Sequence, residues 1–199
     1  MFDARLRDPV DRVINPIARW VGRHGVSANH VTICGFGFGL SAMGAVMADA
    51  MIAALVLLLM NRFCDGLDGA IARYHGATDF GGYLDIVLDF VFYSAIPFGF
   101  AVNNPENAVA ASFLIFSFIG TGVSFLAFAI LAEKRGISTD IRGKKSFYYL
   151  GGLTEGAETI TLLVLMCLFP DWFAVLAWGF GCLCWITTAT RIHAAAQIE

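Results

Sequence analysis

Charge is scarce in this chain. Asp, Glu, Lys and Arg make up only 15% of its 199 residues, against 58% hydrophobic residues, and the mean hydropathy is +0.70. A soluble domain of this length cannot hide so much apolar surface, which excludes the water-soluble enzyme classes and gives no reason to expect nucleic acid as a partner. Metal-site and redox cysteine patterns are missing too. Cys34, Cys64, Cys167, Cys182 and Cys184 all lie in apolar stretches, at spacings that fit neither a zinc knuckle nor a CxxC pair, and they read as buried thiols. The four histidines form no HExxH or other ligand spacing. No internal repeat, low-complexity tract or small-residue signal-cleavage site is present, so residues 1–27 are read as mature structure.

What is present is hydrophobic length. A membrane-crossing helix needs roughly 20 mainly apolar residues, and six such stretches occur, at about 30–48, 51–73, 81–102, 107–132, 149–169 and 172–190. The expected architecture is an all-α integral membrane domain of six spanning helices over 28–199. It is preceded by a juxtamembrane segment, 1–27, in which arginines are scattered among Val10, Val13, Ile14, Ile17, Trp20 and Val21, as in a helix lying in the interface. Ser27 or Asn29 is the expected cap of the first span. Gly35, Gly37 and Gly39 have no strand before them and read as close helix packing, not as a nucleotide loop.

The basic residues are unevenly placed. All 13 fall before the first span, in the second half of the second, between the fourth and fifth, or at the end of the sixth. The other three connections have none, so with alternating helix direction every basic cluster is on one side. The positive-inside rule makes that side, and both termini, cytoplasmic. A bacterial inner membrane is the expected location.

Four aspartates sit inside spanning segments, where each charge costs about 2.5–3.5 kcal/mol near the helix centre. Asp65 and Asp68 are three apart near the end of the second helix, and Asp85 and Asp89 four apart near the start of the third, so each pair shares a helical face. Consecutive antiparallel helices can bring the pairs together near the cytoplasmic side. Four converging carboxylates in a medium of low dielectric repel unless cations neutralise them. Hard oxygen ligands suit Mg²⁺ or Mn²⁺, and two ions would satisfy all four. Between the pairs, Gly69 and Ala72 leave room for a flat base or a diphosphate to approach the backbone, Arg73 supplies a cation for phosphate, and Gly81 opens the facing helix.

The run D-x2-D-G-x2-A-R, then G-x3-D-x3-D, here from Asp65 to Asp89, resembles the signature of the CDP-alcohol phosphotransferase family. The connection of residues 74–80 is one residue shorter than in most members. The resemblance implies a six-helix enzyme, often a homodimer, that moves a phosphatidyl-like group from a CDP-linked lipid to a small alcohol with release of CMP; CDP-diacylglycerol is the expected donor because the chain is short and has no helices beyond six. It implies that Asp65, Asp68, Asp85 and Asp89 hold two ions of Mg²⁺ or Mn²⁺, and that Asp89 takes the proton from the acceptor hydroxyl. It also implies that Asn29, Thr32, Asp68, Gly69, Ala72, Arg73, Thr78 and Gly81 bind the CDP-lipid.

Acceptor candidates are Glu155 and Glu158, read as one face of the fifth helix, together with Arg135, Arg142, Lys145 and Arg191. The carboxylates suit hydroxyls or an ammonium, the cations a phosphorylated polyol, and the same cations also suit anionic lipid head groups. Two alternatives remain: a CDP-amino-alcohol phosphotransferase acting on diacylglycerol, and a divalent-cation transporter using the intramembrane aspartates. The transporter leaves Gly69, Ala72 and Arg73 without a purpose. An intramembrane prenyltransferase, the other aspartate-rich class, needs a longer bundle.

Overall fold

A computed structural model describes residues 3–135 and 152–197, with side chains from Val13 onward. Arg142 and Lys145 therefore lie outside the described residues. Every regular element among these is helical. An N-terminal helix α1 (Asp3–Arg23) is followed by α2 (Ala28–Met47), α3 (Met51–His75), α4 (Asp79–Asn103), α5 (Ala108–Lys134), α6 (Gly156–Leu168) and α7 (Phe173–Ala196). Short 3-10 turns, Pro105–Asn107 and Pro170–Trp172, precede α5 and α7. Proline at the first position of each fixes the backbone without losing a needed donor. The protein is an all-α integral membrane protein. By length and composition α2, α4, α5 and α7 can each cross a bilayer; α3 is as long as α4 but carries the charged motif.

The packing is organised around α2, which lies against both α3 and α4, while α5 packs on α4 and α7, and α6 on α3. The main core contains Leu58, Phe92, Ile96, Phe100, Leu114, Leu163, Met166 and Phe173. Elsewhere large apolar side chains such as Ile52, Val109, Ile130 and Val175 face outward, as lipid contact requires. Small residues let α2 approach its neighbours: Gly35 and Gly39, one turn apart, are buried, and a Cβ on Gly35 would stand 2.7 Å from Cys64 Cβ. Gly37, on the other side, faces open space, so only two of the three glycines serve close packing.

Three boundaries differ from the sequence reading. Helix α7 continues to Ala196, which places Arg191 inside it, 6% exposed, and not at its end. Helix α6 has 13 residues, a rise of about 20 Å, and starts at Gly156 because Glu155 is its N-cap. Residues 74–80 are not a loop throughout: α3 runs to His75 and α4 starts at Asp79, so only residues 76–78 turn the chain. Gly76 makes the turn at φ 100°, a conformation open to glycine at little cost.

Helix α1 rests on α3 through Ile14 and Ala18, which are buried with Cys64, Leu67, Ala70 and Ile71. Gly66 makes room for it, since a Cβ there would lie 2.7 Å from Ile14 Cδ1. Val13 and Trp20 remain exposed on its outer side, and Arg19 donates a 2.6 Å hydrogen bond to the Tyr74 hydroxyl at the end of α3. One side of α1 is thus packed on α3 and the other is exposed.

Candidate active site

Caps bring the site's helix ends into register. Ser27 caps α2, its hydroxyl accepting from the His30 backbone N–H at 3.4 Å. Thr78 caps α4, accepting from the Gly81 N–H at 3.0 Å. Both are standard N-cap hydrogen bonds. With the α3–α4 turn they frame a cavity of about 300 Å³ lined by Asn29, Thr32, Asp68, Gly69, Ala72, Thr78, Gly81 and Asp85. Seven of the eight residues expected to bind the CDP-lipid line it. The eighth, Arg73, is exposed, and its guanidinium lies 3.5 Å from where a Gly69 Cβ would be. Gly81 leaves room at this wall, since a Cβ there would come within 2.9 Å of Asn29 Oδ1 and 3.0 Å of Thr78 Oγ1 and oblige those side chains to shift.

At the inner end of this cavity the aspartates converge. Ligand oxygens of Asp65, Asp68 and Asp85 lie within 4.8 Å of one another. Asp68 is 6% exposed, and its Oδ2 is buried without a hydrogen-bonding partner among the described residues. An orphaned buried carboxylate oxygen is costly, and a cation at the focus of three carboxylates removes the cost. The residues therefore fit a divalent ion with oxygen preference.

Asp89 stands apart from this trio. Its Oδ1 accepts from Arg62 Nη2 at 2.7 Å and its Oδ2 from the Tyr93 hydroxyl at 3.1 Å. It lines both a small cavity shared with Asp65, Asp68 and Asp85 and a larger one of about 200 Å³. The larger cavity continues between α4, α5, α6 and α7, past Tyr93, Thr121, Phe125, Thr154, Glu155, Thr159 and Arg191. Of the residues expected to hold an acceptor, Glu155 and Arg191 line it. Glu158 and Arg135 do not: Glu158 completes a capping box by accepting from the Glu155 backbone N–H at 3.2 Å, and Arg135 is exposed at the end of α5. The two glutamates thus form a helix start and not one helical face.

The chain matches the family described as CDP-alcohol phosphatidyltransferase over residues 26–191. It belongs to that family. As a CDP-alcohol phosphatidyltransferase it is a transferase of phospholipid synthesis. It is 51% identical over 193 residues to the inner membrane protein YnjF of Escherichia coli, covering 96% of this chain and 94% of the relative. It is 25% identical over 197 residues to the archaetidylinositol phosphate synthase of Pyrococcus horikoshii, covering 98% and 96%. Among solved structures, the Mycobacterium tuberculosis phosphatidylinositol phosphate synthase with CDP-DAG bound aligns with a TM-score of 0.74 at 22% identity, over 92% of this chain and 94% of that one. The same synthase with manganese and citrate aligns at 0.67 and 23%, over 92% and 88%. Those two likenesses establish the shared fold.

The family motif leaves several residues of the site unmarked: Asn61, Arg62, Tyr93, Thr121, Phe125 and Thr154. Arg62 had a signal, since it precedes Asp65 by three residues and so shares its face; Tyr93 follows Asp89 by four. Thr154 and Thr121 come from distant segments, and spacing does not connect them.

Proposed function

We propose that the protein transfers a phosphatidyl group from CDP-diacylglycerol to the hydroxyl of a small alcohol or polyol, releasing CMP. The observation that carries the reading is a row of three adjoining cavities that share lining residues, from the one at Asn29, Gly69 and Gly81, past the aspartates, to the one at Tyr93, Glu155 and Arg191, with Asp85 on the walls of all three and Asp89 on those of the last two. The first cavity suits the CDP portion of the donor, as the CDP-DAG-bound synthase of the same fold supports. Asp65, Asp68 and Asp85 would hold the cation, Mg²⁺ or Mn²⁺, and Asp89 would contribute to a second ion; the manganese-containing relative favours this choice of metal. Bound there, the metal supplies charge neutralisation for the diphosphate, which phosphoryl transfer chiefly needs.

Asp89 then accepts the proton of the acceptor hydroxyl as that oxygen bonds to the phosphorus bearing diacylglycerol. The bridging P–O bond breaks, and its electron pair leaves with CMP. Arg73, beside Gly69, suits the diphosphate, and Thr78, whose oxygen accepts from the Gly81 N–H, keeps its O–H to donate to it. The cavity beyond Asp89 takes the acceptor, with Glu155 and Arg191 on its walls. The placement of basic residues favours a cytoplasmic active site and cytoplasmic termini, and the inner-membrane relative favours a bacterial inner membrane. A homodimer is the proposed assembly on the family pattern.

The test is product analysis. Purified protein in detergent, given CDP-diacylglycerol and Mn²⁺, is offered glycerol phosphate, inositol, inositol phosphate, serine, glycerol, choline or ethanolamine, and the extracted lipids are weighed by mass spectrometry. One acceptor should yield its phosphatidyl product in wild type and none in Asp89→Asn. Mn²⁺ flux into proteoliposomes without any product would favour the transporter instead.

A further inference from the structure

From the same helix as Asp65 and Asp68, a guanidinium reaches into the carboxylate cluster. Arg62 Nη2 donates to Asp89 Oδ1 at 2.7 Å, and Nη1 lies 3.6 Å from Asp65 Oδ2. Its third nitrogen, Nε, donates to Asn61 Oδ1 at 2.7 Å, and Asn61 Nδ2 in turn donates to the Gly35 carbonyl at 2.9 Å. The flat face of the guanidinium lies over Phe92, 4.8 Å from the ring centroid, and Phe92 is 1% exposed. All three nitrogens and one face of the group thus meet a partner on α3 or α4, and α2 braces the arrangement through Asn61. A planar fork can serve two carboxylates and an amide at once, whereas a lysine ammonium offers only a point charge on a flexible stem.

We infer that Arg62 is a positioning residue for the transfer, fixing Asp89 between the aspartate trio and the acceptor cavity, and that it does so as a built-in cation that weakens divalent-ion binding at Asp65. The inference rests on the function proposed above. Two properties of the site point to it. Asp89 is gripped on both oxygens, by Arg62 on one and by Tyr93 on the other, so its orientation is set before substrate arrives. The same guanidinium stands near Asp65, and a fixed positive charge beside a metal ligand opposes the arrival of a second cation. Turnover and metal affinity should therefore move in opposite directions when the charge is removed, which neither misfolding nor a plain structural ion pair produces.

The full-length protein in detergent is compared with Arg62→Gln and Arg62→Lys, reading Mn²⁺ binding by titration without substrate, and kcat and KM from CMP release. Arg62→Gln should bind Mn²⁺ roughly tenfold more tightly, because the opposing charge is gone, while kcat falls roughly a hundredfold through a misplaced Asp89. KM for CDP-diacylglycerol should stay within about threefold. Arg62→Lys keeps the charge and loses the fork, so it should bind Mn²⁺ like wild type and recover only part of kcat. Unchanged or weaker Mn²⁺ binding in Arg62→Gln overturns the inference, as does wild-type kcat in that variant. Should Arg62→Gln fail to fold, Arg62→Lys decides: wild-type kcat there overturns the inference, and a lowered kcat with unaltered Mn²⁺ affinity supports it. If wild type releases no CMP, the function proposed above fails. The positioning role falls with it, and the Mn²⁺ titration then judges only the built-in cation, with tighter binding in Arg62→Gln in favour and equal or weaker binding against.

Discussion

Adding one methyl group to Gly35 should damage the site from a distance. A Cβ at this position would lie 2.7 Å from Cys64 Cβ, where ordinary contact is 3.4–4 Å, so α2 and α3 must part by about 1 Å. Neither atom belongs to a flexible chain end, and the strain falls on the helices themselves. Overpacking of this kind costs about 1–3 kcal/mol. The same displacement stretches the 2.9 Å hydrogen bond from Asn61 to the Gly35 carbonyl, and leaving a buried amide unsatisfied costs a further 1–3 kcal/mol or so. Together these should lower the unfolding midpoint in detergent by about 5–20 °C. Asn61 also anchors Arg62, so Asp89 shifts with it, and misplacement by about 1 Å can cost roughly a hundredfold in rate. Thermal unfolding and CMP release measure the two effects. The decisive comparison is with a second substitution: Cys64→Gly removes the opposing Cβ and should restore most of both losses in Gly35→Ala, short of about 1 kcal/mol for a helical glycine. Cys64→Ala retains that Cβ and should restore nothing. Equal rescue by both, or a Gly35→Ala protein indistinguishable from wild type, would refute the reasoning.

Gly81→Val should raise KM for the CDP-lipid by roughly tenfold or more while leaving Mn²⁺ binding near wild type, because its side chain collides with Asn29 and Thr78 at the mouth of the first cavity; initial-rate kinetics and metal titration check it. Thr187→Val removes the partner of the buried Thr154 hydroxyl, a 3.0 Å hydrogen bond at the wall of the second cavity. It should raise the acceptor's KM about three- to tenfold, corresponding to a net hydrogen bond of about 1 kcal/mol, with the donor's KM unchanged. Phe92→Ala empties the space beneath Arg62 and should cost about 3–5 kcal/mol of stability, read from thermal unfolding.

The elements most legible in the sequence were those fixed by local pattern. Apolar run lengths placed α2, α3, α4 and α5 within a few residues, since lipid thickness sets helix length. The two aspartate pairs followed from spacing, and of the two expected caps, Ser27 and Asn29, it is Ser27 that starts α2. What spacing could not convey was the use of a residue across helices. In the sequence Arg62 is only one of the basic residues in the second half of the second span, yet its fork spans Asp65 on its own helix and Asp89 on another, a relation created because α3 and α4 both pack on α2. Glu155 and Glu158 fit a helical face by their separation, but the same separation defines a capping box, and the choice depends on where the helix starts. Arg191 read as a helix-end charge because charge seldom lies inside a bundle. Its guanidinium is accommodated there by the Thr121 carbonyl, 2.9 Å away, and the Phe125 ring.

The most direct test of the central claim is CMP release from CDP-diacylglycerol by the purified protein after exhaustive chelation and again after Mn²⁺ is restored, with Asp85→Asn in parallel. Metal-dependent release of CMP in the presence of an acceptor, absent in Asp85→Asn, is the predicted result. Release that persists under chelation, or that Asp85→Asn supports at the wild-type rate, would contradict the account.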